Sequence, residues 1–211
     1  MRDEVAWLYK AAAARGLIVG SSGNISGRTP EGMTITPSGG DPETVAAAGL
    51  SMVTMDGVAL NHATPSSEWA MHAAVYRECP EAGFIVHTHA DACTALACLG
   101  SGLPAFHYMI LQFGGMDVRC APYVTFGTPE LADHAAEAIR GRSACLLANH
   151  GMIVCAPDAR QALDRAVLLE TLCRQYLLAL PAGTPRLLTE PELLAARERF
   201  KTYGPRRHPA A

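Results

Sequence analysis

The 211-residue sequence predicts an α/β layered fold. Three observations carry that expectation. Strand and helix signals alternate along the chain; two short apolar runs, Phe84-Ile85-Val86 and Ala144-Cys145-Leu146-Leu147, read as buried strands; and several helices between strands have defined starts and stops. No internal repeat or low-complexity linker divides the chain, so residues 1–203 are expected to form one domain, with 204–211 as a mobile tail.

In chain order, Asp3 to Arg15 has the apolar spacing of an amphipathic helix (Val5, Leu8, Ala12) and meets Gly16, a common terminator. Residues 20–28 and 33–40 form a predicted β-hairpin with two glycine-rich loops, and Val53 to Leu60 reads as a short strand pair around Asp56-Gly57. Ser66 is read as the cap of a helix that runs to Cys79 and stops at Pro80. A strand from Phe84 to His89 follows, then a helix from Ala90 to Leu99. The His107–Met116 segment passes from an apolar run into a double glycine, and Val118 to Val124 reads as a strand interrupted by Pro122. Thr128-Pro129-Glu130 starts a helix to Arg140, with Thr as cap and Pro at the first helical position. Ala144 to His150 is a second buried strand, which Gly151 turns into Met152 to Cys155. A long helix from Asp158 or Ala159 to Leu180 and a last one over Pro191 to Tyr203 complete the chain.

Composition narrows the function classes. The 49% hydrophobic content supports a substantial core, and a formal charge of −3 gives no basic footprint for nucleic acid or an anionic membrane. The seven cysteines are scattered through apolar segments rather than spaced as a framework, which fits reduced thiols in a cytosol. No run approaches the length of a membrane span, so the expectation is a soluble cytoplasmic protein with a small-molecule or protein partner.

The chemistry concentrates in Ser66 to His89. His87 and His89 are two apart on a strand and reach the same side, where both imidazoles can bind one ion. Alone, a buried histidine more often satisfies a core hydrogen bond than binds metal, but with His150 at another strand end they supply three nitrogen donors, the ligand count of a catalytic zinc site with an open position. Glu68 either serves the helix dipole or acts as general acid/base or exchangeable ligand beside that site. Ser66 and Ser67 either cap or, with the loops containing Asn24 and Ser38-Gly39, form a phosphate cradle at a helix start.

These residues fall in stretches that resemble the class II aldolase and adducin family: GNIS (23–26), TPSG (36–39), SSEW (66–69), HTHADACTA (87–95), HYMI (107–110), CAPYVTFGTPEL (120–131), NHG (149–151) and FKTYG (200–204). They span the chain in order, and the HYMI, CAPY and FKTYG segments resemble the fuculose-phosphate branch. The resemblance implies a three-layer α/β/α fold with a central, largely antiparallel sheet, assembled as a homotetramer with interfacial sites. It implies that His87, His89 and His150 bind one divalent metal per subunit, zinc by analogy or else manganese or cobalt, with Glu68 as catalytic acid/base and exchangeable ligand. Asn24, Ser38, Gly39, Ser66 and Ser67 would hold the phosphate, and Phe126 would line the aldehyde pocket. Tyr108 from a neighbouring subunit and Tyr203 on the C-terminal tail would assist.

The implied reaction is cleavage of a ketose 1-phosphate, either L-fuculose 1-phosphate or a 5-deoxy- or 5-methylthio-ribulose 1-phosphate, to dihydroxyacetone phosphate and an aldehyde. An aldolase stabilises a carbanion with a Schiff-base lysine or a Lewis-acid metal. Lys10 and Lys201, the lysines of the chain, lie on its first and last helices rather than in strands, which favours the metal. Two alternatives stand beside this reading. A pentulose-5-phosphate epimerase or sugar-acid-phosphate decarboxylase keeps fold and metal, although epimerases of the family generally carry Asp at the position of Glu68. A non-catalytic adducin-like assembly module lacks the metal ligands.

Overall fold

The structure, a computed structural model, describes residues 1–202. Seven strands, β1 (Asn24–Thr29), β2 (Gly32–Ile35), β3 (Ser51–Val53), β4 (Phe84–Thr88), β5 (Cys120–Ala121), β6 (Ala144–Leu147) and β7 (Gly151–Ala156), form one sheet in the order β3-β2-β1-β4-β7-β6-β5. All neighbours are antiparallel except β5 and β6. The sheet is sandwiched by helices, as expected, because strand side chains alternate between faces. Val86, Met152 and Val154 pack toward α1 (Arg2–Ala14), α3 (Asp91–Cys98) and α5 (Ala159–Ala179). Ile85, Ile153 and Cys155 pack toward α2 (Trp69–Glu78) and α4 (Pro129–Ile139). The last helix, α6 (Glu190–Phe200), buries Leu193 and meets the 3-10 helix Tyr108–Phe113.

β1 and β4 position the site. Asn24 lies opposite His87 and Ser26 opposite Ile85, and side chains of directly opposed residues share a face. Asn24, Ser26 and His87 therefore point to the layer occupied by α2. On α2 and the residue before it, Glu68, His72 and Tyr76 follow at intervals of four and share the helix face turned to the sheet.

Several elements are shorter than the sequence suggests. The helix expected from Ser66 begins at Trp69, with Glu68 at its N-cap (φ −100°, ψ 14°) and no side-chain cap. Its approach is held extended instead: the Ser66 N–H donates to Thr36 O, Ser38 N–H donates to Thr64 O, and Pro37 bridges Pro65. Ser66 Oγ accepts from the Glu68 N–H (3.3 Å), closing a local turn before the helix. Of Val118 to Val124 only Cys120–Ala121 pairs, since Pro122 has no N–H to continue the ladder. Of the expected pair at Val53 to Leu60, β3 is a strand and the return makes a single bridge, Val53 to Ala59. His89 and His150 lie just beyond β4 and just before β7, and Thr128 caps α4 as expected, its side chain accepting from the Leu131 N–H.

Candidate metal centre and active site

Local backbone geometry brings the three histidines together. Asn149 adopts a left-handed conformation (φ 53°), which turns the chain out of β6 and presents His150. Gly151 follows because a Cβ there would sit 2.4 Å from Thr88 O and 3.1 Å from His89 Cδ2. Gly23 has the same role at β1: a Cβ would lie 2.7 Å from His87 O, and its φ of 91° strains any other residue. The NHG and GNIS stretches are thus close-approach points around the ligand strand.

The rings of His87, His89 and His150 stand edge to face with centroids 4.8–5.1 Å apart, and their nitrogen donors lie within 4.8 Å of one another. His87 Nδ1 is 2.9 Å from Met152 O, an acceptor, so this nitrogen carries the proton and Nε2 presents a lone pair. That Nε2 faces His89 Nε2 at 3.2 Å and Glu68 Oε2 at 3.2 Å. Glu68 Oε1 is 3.3 Å from His150 Nε2 yet is buried without a hydrogen-bond partner. His87 Nε2 and both Glu68 oxygens are acceptors, and His89 and His150 turn ring nitrogens toward them, a donor set that a cation among them would satisfy. Protons fill that role poorly, since burial, then the closeness of His87, pushes His150 down to about 4 and shifts His89 in the same direction. Three neutral imidazoles with a carboxylate beside them fit a divalent ion. Burial pushes the Glu68 carboxyl up, but its contacts with His87 and His150 and the Asn24 donor outweigh it and hold Glu68 ionised.

Glu68, His89 and His150 line a cleft of about 280 Å³ together with Tyr123, Val124, Phe126 and Asn149. Phe126 therefore stands beside the histidines. Ser66 is buried beside the Thr36 loop, whereas Ser67, Ser38 and Gly39 are exposed at the neighbouring loop ends. The Asn24 carboxamide is fully engaged: Nδ2 donates to Glu68 Oε2 (2.9 Å) and Oδ1 faces His72 Nε2 (2.6 Å). Tyr108 is not brought to this cleft. It is 47% exposed, stacks on His107 and lies against Phe200. Tyr203 lies outside the described residues.

Sequence reasoning passes over Tyr123 and Asn149 in the cleft, and the buried trio His72, Ser26 and Tyr76 behind it. Tyr123 and Asn149 stand in the CAPY and NHG stretches. The trio carries a signal in the four-residue spacing of Glu68, His72 and Tyr76 and the two-residue spacing of Asn24 and Ser26.

Residues 3–177 match the family model for the Class II Aldolase and Adducin N-terminal domain. The chain belongs to the class II aldolase and adducin family. Membership implies a divalent metal, and His87, His89 and His150 are the cluster suited to hold it. The chain is 43% identical over 189 residues to the 5-methylthioribulose-1-phosphate/5-deoxyribulose-1-phosphate aldolase of Rhodospirillum rubrum, covering 90% of this chain and 86% of that protein. It is 42% identical over 190 residues to the L-fuculose phosphate aldolase of Escherichia coli, covering 90% and 88%. A solved structure of an L-fuculose 1-phosphate aldolase is similar with a TM-score of 0.90 at 37% identity, covering 95% of both chains.

Proposed function

We propose that the protein is a zinc-dependent aldolase that cleaves a ketose 1-phosphate between C3 and C4 to dihydroxyacetone phosphate and a short aldehyde. The observation that carries this reading is the convergence of three imidazole nitrogens and one buried, ionised carboxylate beside a largely apolar cleft. The lysines support it from the other side. Lys10 and Lys201 are exposed, the latter paired with Glu198, so neither is the buried amine a Schiff-base route needs. Relatives named for fuculose and methylthioribulose phosphates add the substrate class.

His87, His89 and His150 would hold the metal, which when bound supplies Lewis-acid polarisation of the substrate's carbonyl and adjacent hydroxyl oxygens. Glu68 manages the proton at C3. As a carboxylate it removes that proton in the condensation direction, and as an acid it returns it in cleavage. A proton leaves the C4 hydroxyl as one arrives at C3, so the reaction is proton-neutral. Tyr108 of a neighbouring copy in a homotetramer is assigned to the C4 end, with Tyr203 closing the site. Its 47% exposure outside the lining of its own chain's cleft supports an intersubunit role. Ser66, Ser67, Ser38, Gly39 and the Gly23-Asn24 corner form the phosphate pocket, Asn24 contributing there by position because its carboxamide is engaged. Phe126 with Tyr123 and Val124 shapes the aldehyde end, which suits an apolar terminal group. Two core layers on one sheet support treating residues 1–203 as one domain.

The test is release of dihydroxyacetone phosphate from L-fuculose, 5-deoxyribulose and 5-methylthioribulose 1-phosphates. Cleavage of at least one, lowered about 10²- to 10⁴-fold by Glu68→Gln, is expected. Absence of cleavage across the panel would turn the assignment toward epimerase or decarboxylase chemistry.

A further inference from the structure

Behind Glu68 runs a line of buried polar side chains that the reaction scheme does not use. Tyr76 Oη is 2.9 Å from Ser26 Oγ, Ser26 Oγ is 2.7 Å from His72 Nδ1, and His72 Nε2 is 2.6 Å from Asn24 Oδ1. Asn24 Nδ2 then donates to Glu68 Oε2 at 2.9 Å. Ser26 and His72 are both completely buried, and Tyr76 is 1% exposed, so no water competes with this chain of contacts. Polar groups buried at this depth are costly unless each finds its partner, and here each does.

We infer that His72 is a positioning residue for Glu68, acting through Asn24: donation from His72 Nε2 fixes the Asn24 carboxamide with Nδ2 toward the carboxylate. This rests on the aldolase reading, in which Glu68 moves the C3 proton. The direction of every hydrogen bond follows from one end. An ionised Glu68 only accepts, so Asn24 presents its NH2 group to it and its carbonyl oxygen to His72. His72 Nε2 therefore carries a proton. A neutral ring then accepts at Nδ1, Ser26 O–H donates to that nitrogen, and Ser26 Oγ accepts from Tyr76. An amide left unpinned is free to rotate by half a turn, which would set carbonyl oxygen against carboxylate and push Glu68 out of line. With Asn24 pinned, Glu68 spends Oε2 on Nδ2 and keeps Oε1 without a hydrogen bond, 3.3 Å from His150 Nε2.

Sequence alone cannot separate this from an ordinary buried histidine, but side-chain replacement can. Gln at position 72 places an N–H donor near Nε2, whereas Asn places its polar group near Nδ1 and loses the bond to Asn24. The partial reaction to follow is exchange of a C3 hydrogen of dihydroxyacetone phosphate with solvent deuterium, read by proton NMR on zinc-loaded protein with metal content measured in parallel. We expect His72→Gln to keep exchange near the wild-type rate. His72→Asn should lose about 10- to 100-fold in the rate at saturation, with KM and zinc stoichiometry little changed. In an Asn24→Ala background, His72→Asn should add no further loss. If His72→Asn does not fold, Ser26→Ala, which frees the ring to carry its proton on either nitrogen, should give a smaller loss of the same kind. Equal losses for Gln and Asn, additive losses with Asn24→Ala, or an unaffected Ser26→Ala in that fallback would overturn the positioning role. A wild-type protein that neither exchanges nor cleaves would instead overturn the aldolase reading beneath it.

Discussion

His87 shows how one side chain links sheet register to chemistry. Its Nδ1–H is committed to Met152 O on the neighbouring strand, and that fixes which nitrogen faces Glu68 and His89. His72 is the contrasting case, a ring kept neutral by burial, then by the closeness of His87, and pushed down to about 3. An unfolded histidine titrates near ~6.5. Between those values the unfolded chain binds the extra proton, so the contribution of His72 to stability is intact above about pH 6.5. It falls as pH drops toward 3, by about 1.4 kcal/mol per pH unit. Urea unfolding of the metal-free protein at a series of pH values should show this acid limb, and His72→Gln should flatten it; parallel limbs for the two proteins would contradict the burial argument. At this scale the sequence is legible where residue type announces chemistry, as in the three histidines and Glu68. It is opaque for His72 because a lone histidine on a helix looks like core until β1 is seen to place Asn24 and Ser26 opposite it.

Elements are legible where capping chemistry is local. Thr128-Pro129 marks α4, and Asp158 caps α5 by accepting from the Gln161 N–H. They are obscured where tertiary contacts override it, as at Ser66, whose N–H is drawn to Thr36 so that α2 starts three residues later. Between the proposed metal ligand His89 and α3 the decisive contact is also distant in sequence. The buried Glu170 carboxylate on α5 accepts from the Ala92 and Cys93 N–H groups at 2.9–3.1 Å, closing the start of α3 two residues beyond Ala90. Glu170→Ala leaves those donors buried and unpaired. The expected cost is about 1–3 kcal/mol in denaturant unfolding, with weaker retention of metal because His89 is anchored by the same turn. Unchanged stability would show that the clamp is dispensable.

Across the whole molecule, layer order follows from strand alternation, and the sequence conveys the alternation of strands and helices before any contact is known. The β3-β2-β1-β4-β7-β6-β5 order is not readable from periodicity, because hydrophobic pattern fixes which face a strand buries and not which strand lies beside it. No helix among the described residues is long and apolar enough to cross a membrane. The proposed homotetramer would give a role to Tyr108, which meets Phe200 outside the cleft lining, and light scattering on the purified protein should give a mass near four times 22.3 kDa. A monomer with full activity would remove the intersubunit role of Tyr108. Metal removal then asks whether three imidazoles hold the ion on which cleavage depends. Dialysis against a strong chelator should abolish dihydroxyacetone phosphate release, and zinc added back to one ion per chain should restore it, while His150→Ala should restore neither binding nor activity. Full cleavage by metal-free protein would contradict a metal-dependent mechanism.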